Sequence, residues 1–222
     1  MSARASACGR WTLSAEKTSK SKLSPHTLLI QRGNACVPKA LQAITPLDGR
    51  SITHGGTALW VVRDRPLYSL SVPLGGDQAF DQALMNRFAL PRPEPGQFLD
   101  AGAFRLCGLA QDQVFVMGLE PTRPAATSLA QELGGAAYVT DQSDAWVSLH
   151  LNGDLSLAAL ERICPINLNP SAFPTGSLAR TSMEHLSAIV MADSDQGFIL
   201  ISAISSAESF WHAVETSLTN VS

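Results

Sequence analysis

The chain has 222 residues, with 16 Lys/Arg against 19 Asp/Glu and a formal net charge of −3, long enough to bury roughly 70% of its unfolded surface as one large domain or two small ones. The charge is uneven: residues 1–40 carry seven Lys/Arg and one acid, Glu16, which leaves 9 basic and 18 acidic residues, a net of −9, in residues 41–222. A body that acidic excludes a nucleic-acid binder, whose affinity comes from Lys and Arg neutralising phosphates, and no apolar run approaches the ~20 residues of a membrane-spanning helix.

Four cysteines (Cys8, Cys36, Cys107, Cys164) form no CxxC pair, and five histidines (His26, His54, His150, His185, His212) form no HxH or HExxH. Neither a disulfide framework nor a zinc site is encoded, so the thiols are expected to be reduced and the protein cytoplasmic. There is no GxGxxG, GxxxxGK[ST] or GxSxG, and Gly75-Gly76-Asp77 reads as a turn into a helix.

Residues 1–50 are rich in Ser, Ala, Lys and Arg, without sustained periodicity or the apolar core of a secretory signal. They are expected to be a disordered leader, ahead of an organelle transit peptide or a start codon placed too early. Thr45-Pro46-Leu47-Asp48-Gly49 marks the beginning of folded structure.

From residue 57 the punctuation becomes regular. Leu59–Val62 and Leu67–Val72 read as strands parted by Asp64-Arg65-Pro66, and a helix from Asp77 sets Phe80, Leu84 and Phe88 on one face. Pro91, Pro93 and Pro95-Gly96 end it. Strands at Phe104–Gly108 and Val114–Met117 follow, then a helix capped by Thr122, striped by Ala126, Leu129, Ala130 and Leu133 and closed by Gly134-Gly135. The same order then recurs. Ala137–Val139 and Trp146–Leu151 are strands, and Asp154 is expected to cap a helix carrying Leu157, Leu160 and Cys164. Strands at 178–183, 186–191 and 198–203 lead to a last helix opened by the capping box Ser205-Ser206-Ala207-Glu208, with Phe210, Trp211, Val214 and Leu218 buried.

The chain therefore reads ββαββα followed by ββαβββα. Matching helix starts lie 77 residues apart (Asp77, Asp154) and 83 apart (Thr122, Ser205), which points to a duplication. Residues 51–134 form the first repeat and 135–222 the second, and because each is small for independent stability the two are expected to share one folded unit or swap elements.

The link between helix and strand in the second repeat is the most specified stretch. Pro165 lacks an N–H and disfavours helix at Cys164; Asn169-Pro170 and Pro174-Thr175-Gly176 read as turns, with Phe173 between them plugged into the core. It offers no base and no paired carboxylates. Cys164 reads as a small buried residue at a helix end.

The run Cys164-Pro165-Ile166-Asn167-Leu168-Asn169-Pro170, followed by Phe173-Pro174-Thr175-Gly176, by Ala179-Arg180-Thr181 entering a strand and by Ser209-Phe210-Trp211-His212 on the last helix, resembles the gamma subunit of heterotetrameric sarcosine oxidase. The similarity reaches more weakly back to about residue 50. That family in turn resembles the folate-binding domain of the glycine-cleavage T-protein. The resemblance implies an α+β fold of duplicated ββα-ββ(β)-α units that exchange their first strands. It also implies a non-catalytic structural subunit of a complex that oxidatively demethylates sarcosine to glycine. The FAD, FMN, NAD, zinc and tetrahydrofolate would then belong to the alpha, beta and delta partners, with no catalytic, cofactor or metal residue in this chain and no nucleic-acid or membrane partner. Where the family commonly has a Gly-containing turn, Met183-Glu184-His185 stands here. The Lys-Gly-Cys-Tyr-x-Gly-Gln-Glu run of iron–sulfur-repair folate proteins is absent. Two other readings stay open, a stand-alone folate-binding aminomethyltransferase-like protein and a gamma-like subunit of N-methylglutamate dehydrogenase.

Among charged side chains, Arg180 lies inside a strand between Ala179 and Thr181, and its expected setting is a partly buried internal ion pair, ahead of a subunit contact or a ligand carboxylate. His212, beside Trp211, reads as a core or interface edge. His150 shares a strand face with Trp146 and Ser148, where packing outweighs ligand contact.

Overall fold

The structure is a computed structural model that describes residues 46–63, 65–121 and 124–222. The expected leader up to residue 45 and the Thr122 cap lie outside the described residues. A turn at Pro46–Gly49 opens the described chain, and its Leu47 is fully buried.

Eleven strands and four α-helices follow among these residues. β1 (Ser51–His54) and β2 (Thr57–Val62) form a hairpin, β3 (Leu67–Ser71) leads to α1 (Asp77–Phe88), and β4 (Phe98–Ala101), β5 (Phe104–Ala110) and β6 (Gln113–Gly118) lead to α2 (Ala126–Glu132). The second series is β7 (Tyr138–Asp141), β8 (Trp146–Asn152), α3 (Ser156–Glu161), β9 (Leu178–Met183), β10 (Leu186–Ala192), β11 (Gly197–Ala203) and α4 (Ala207–Thr219), with a 3-10 turn at Ile204–Ser206 before the last helix. Two strands go beyond the sequence reading. β1 precedes the repeat, and β4 makes both halves carry three strands between their helices, so the duplication is more regular than the residues suggested.

The strands form two antiparallel sheets, ordered β4-β5-β6-β3-β7 and β1-β2-β8-β11-β10-β9. Each sheet holds four strands of one half and the first strand of the other: β7 pairs with β3 (Ser69 opposite Thr140), and β2 pairs with β8 (Trp60 opposite His150). This is the exchange of first strands that the sequence reading expected. It follows from alternation. Leu59 and Val61 of β2 join Leu149 and Leu151 of β8 in one apolar face, so only this register keeps both sets buried.

Three apolar layers result. Phe80, Leu84 and Phe88 of α1 and Leu129 and Leu133 near α2 pack on Tyr68, Leu70, Leu106, Val114 and Val116 of the first sheet. Phe98, Cys107, Phe115 and Met117 meet Ile189, Met191, Ile199 and Ile201 between the sheets. Phe210, Trp211, Val214 and Leu218 of α4 and Leu160 of α3 cover the outer face of the second sheet. The unbroken run Phe198–Ile201 is thereby explained: β11 is central and buried on both faces, so it shows no alternation.

Two expected caps are replaced by tertiary contacts. Asp154 does not cap α3. Its carboxylate accepts from Gln196 Nε2 at 2.7 Å, and the amide of Leu155 at the helix start donates to Thr57 Oγ1 of the exchanged strand β2 at 2.9 Å. The Ser205–Glu208 capping box does not form either: α4 makes no side-chain cap, and Glu208 instead takes both Nη atoms of Arg50 at 2.6 and 3.0 Å. The β9–β10 turn, Glu184-His185, has both residues at positive φ (45° and 66°), so the hairpin keeps the two-residue geometry usually given to Asn-Gly or Gly-Gly without a glycine.

Candidate functional site: a cleft between the sheets

The residues singled out by sequence fall on the α3–α4 side, and most are packing. Cys164, Phe173, Phe210 and Trp211 are buried in the outer core. Burial pushes the Cys164 thiol up in pKa, opposed by the Ile166 backbone and by the Thr181 hydroxyl, so the two ends of the linker meet at this sulfur. Pro165 starts the break after α3. Asn169 Oδ1 accepts from the amide and hydroxyl of Ser171 at 3.1 and 2.8 Å, which fixes the turn around Pro170. After Pro174, Gly176 (φ 94°) turns the chain so that its N–H donates to Ala192 O at 3.0 Å while its carbonyl accepts from Phe98 N at 2.8 Å. With the Gln97–Ser177 bridge, this stitches β4 of one sheet to β9–β10 of the other. The linker thus closes one side of the space between the sheets.

His212 is exposed, on the wall of a 430 Å³ surface groove with Arg162, Glu184 and Asn220. Arg180 corrects its expectation. Its side of β9 faces solvent, so the guanidinium is exposed and donates to Gln113 Oε1 at 3.1 Å without a carboxylate.

The internal ion cluster belongs to another arginine. Arg105, 5% exposed on the inter-sheet face of β5, donates from Nε and Nη2 to Asp100 at 2.7 and 2.9 Å and from Nη1 to Asp193 at 2.6 Å. Its guanidinium lies 4.0 Å from the centre of the Phe98 ring. Asp193 follows β10, so one side chain clamps both sheets. Burial alone would lower the Arg105 pKa; its hydrogen bonds with the two carboxylates overcome this and hold it above its ordinary value. The signal was present in the sequence, since Arg105 interrupts an apolar strand as plainly as Arg180 does.

Beyond this clamp the apolar filling gives out. On the inner face of β2 and β8 stand Trp60, Trp146, Ser148 and His150, each partly buried. His150 packs on Trp60 at 4.3 Å between ring centres, and its Nε2 lies 3.5 Å from Asp193 Oδ2. Among the described residues neither His150 Nε2 nor Trp146 Nε1 has a hydrogen-bond partner. Next to Trp60, Arg65 in the β2–β3 loop is half-buried. Burial holds its guanidinium below its ordinary pKa, with Asp193 opposing and Arg105 adding to the shift. Cys107, deep between the sheets, has its thiol pushed up to about 12 by burial and is inert at neutral pH. Among the described residues no group of three or more His, Cys, Asp or Glu side chains could hold a metal ion, and no helix is long and apolar enough to cross a membrane.

The His150 environment gives a pH prediction. Burial depresses its pKa below the ordinary 6.5, with Asp193 opposing and Arg65 and Arg105 adding. The unfolded chain therefore takes up the proton first as pH falls. His150 leaves stability intact above about 6.5 and subtracts from it progressively as pH drops from there toward the folded-state value. Thermal unfolding of the native chain and of His150→Gln should diverge below pH 6.5, the variant losing less; parallel curves down to pH 5 would refute this environment.

The described residues form an α+β unit of two antiparallel sheets, the fold of the T-protein folate-binding domain. Among solved structures, a chain of heterotetrameric sarcosine oxidase from Corynebacterium sp. U-96, in complex with pyrrole 2-carboxylate, superposes with a TM-score of 0.64 at 21% identity, over 74% of this chain and 85% of that one. Glycine cleavage system aminomethyltransferase T from Bartonella henselae gives 0.54 at 15% identity, over 70% of this chain but only 44% of its own length. At these identities the likeness is one of fold. No protein-family model matches the chain, and no curated protein sequence does.

Proposed function

We propose that this chain is a non-catalytic structural subunit, of the gamma kind, in a sarcosine-oxidase-like complex that oxidatively demethylates sarcosine to glycine. In this reading the alpha, beta and delta partners carry FAD, FMN, NAD, zinc and tetrahydrofolate, and this chain supports the flavin-bearing assembly. The observation that carries it is a matter of extent. The fold spans 85% of a sarcosine oxidase chain, whereas it accounts for 44% of the aminomethyltransferase, which needs as much protein again. The Cys164–Gly176 linker supports the same reading, because its proline and glycine turns place the hydrogen bonds that join the two sheets.

The test is co-expression of the tagged chain with the products of its neighbouring genes. A flavoprotein retained at 1:1 stoichiometry, with sarcosine-dependent hydrogen peroxide formation that falls when this chain is omitted, is the expected result. Recovery of this chain as a monomer beside a fully active flavoprotein would remove the reading. Activity on N-methylglutamate in place of sarcosine would keep the structural role and change the substrate.

A further inference from the structure

A 530 Å³ pocket opens between the β1–β2 hairpin of one sheet and the Leu119–Pro121 segment after β6 of the other. Three of its lining residues are Arg50, Arg63 and Arg65, a fourth is Trp60, and no acidic residue lines it. That concentration is notable in this chain: residues 41–222 hold nine arginines and no lysine, against 18 acids. Two of the three are engaged. Arg50 pairs with Glu208 and Arg63 with Asp48 at 2.8 Å, both solvent-facing pairs of little energetic weight. Arg65 differs. It is half-buried, and among the described residues it has no carboxylate within ion-pair distance. A half-buried guanidinium left without an anion has lost part of its hydration with nothing in return, which favours an anion supplied from outside.

We propose that this pocket binds a small organic oxyanion, with the planar fork of Arg65 holding the carboxylate or phosphate and the indole face of Trp60 covering a flat group beside it. Guanidinium donates two parallel N–H bonds to either oxyanion, a match an ammonium cannot make. Trp60 is held in place from behind by His150, 4.3 Å away, which in turn lies beside Asp193. The wall is therefore set before any ligand arrives. Arg50 and Arg63 add positive potential at the rim, and their exposed pairs can be redistributed at small cost. The inference stands apart from the subunit reading, since a chain that assembles with no partner would still bind the anion.

The experiment titrates the full chain with benzoate, inorganic phosphate and benzamide, by calorimetry and by the indole N–H resonance of Trp60. Benzoate is expected to bind saturably with Kd about 1–10 mM, as suits a ligand of so few atoms; benzamide, the same ring without charge, is expected to give no saturable response. Phosphate competing with benzoate shows that charge is the shared determinant, and phosphate binding where benzoate does not assigns the seat to a phosphate ester. Arg65→Gln should weaken binding about tenfold or more, the loss expected for a charge-assisted hydrogen bond. Arg65→Lys, which keeps the charge and loses the fork, should fall between, and Arg180→Gln, on the far edge strand, should bind as the native chain does. Melting temperatures of the variants establish that each is folded. Absence of saturable binding by both anions, or equal affinity in Arg65→Gln and Arg180→Gln, overturns the proposal.

Discussion

Arg105→Met should lower the melting temperature by about 6–12 °C. The side chain is 5% exposed and answers two carboxylates, Asp100 and Asp193, which without it face each other across the sheet interface. Breaking a buried pair by removing one partner costs about 3 kcal/mol or more, because the remaining charge stays desolvated. For a domain of this size each kcal/mol corresponds to about 2–4 °C. Arg105→Lys should recover part of the loss, since a single ammonium reaches one carboxylate well and lacks the fork that spans both. Differential scanning calorimetry decides the matter. A shift under about 2 °C for Arg105→Met would mean that the clamp adds little and that the apolar contacts around Phe98, Cys107 and Met191 hold the sheets unaided.

Cutting the chain between the halves should have the larger effect. Residues 46–134 lack β7, and residues 135–222 lack β2, so each fragment is left with a sheet edge that the other half normally covers. The second fragment also loses Thr57, which caps α3 through the Leu155 amide. Neither fragment alone is expected to give a cooperative unfolding transition, and co-expression should restore a 1:1 complex with protected amides in β2 and β7. Hydrogen exchange and size-exclusion chromatography report this directly. A cooperative transition in either isolated fragment would show that the exchanged strand is dispensable to it.

The duplication was legible because local signals carry it. Helix stripes such as Phe80-Leu84-Phe88 and Phe210-Val214-Leu218, and the Pro and Gly punctuation between them, depend on neighbours a few residues away. β1 and β4 escaped notice for the opposite reason. Both are four-residue strands at sheet edges, with one side open to solvent, so their composition is not distinctive. The caps show the limit of local chemistry. Asp154 and Glu208 stand where capping residues stand, yet long-range partners, Gln196 and Arg50, take them. Arg180 and Arg105 make the same point in reverse. Both are arginines inside strands, and which one is buried depends on the face that the opposite sheet covers.

What the residues settled by themselves was the order of elements, the repeat and the stiff linker from Cys164 to Gly176, because backbone preference and apolar period act over short spans. Only the packed molecule decided that Arg105 is clamped while Arg65 faces an open pocket. That difference arises between β5, β10 and the β2–β3 loop, segments far apart in the chain, whose charges meet because two sheets stack face to face and the linker closes one side of the gap.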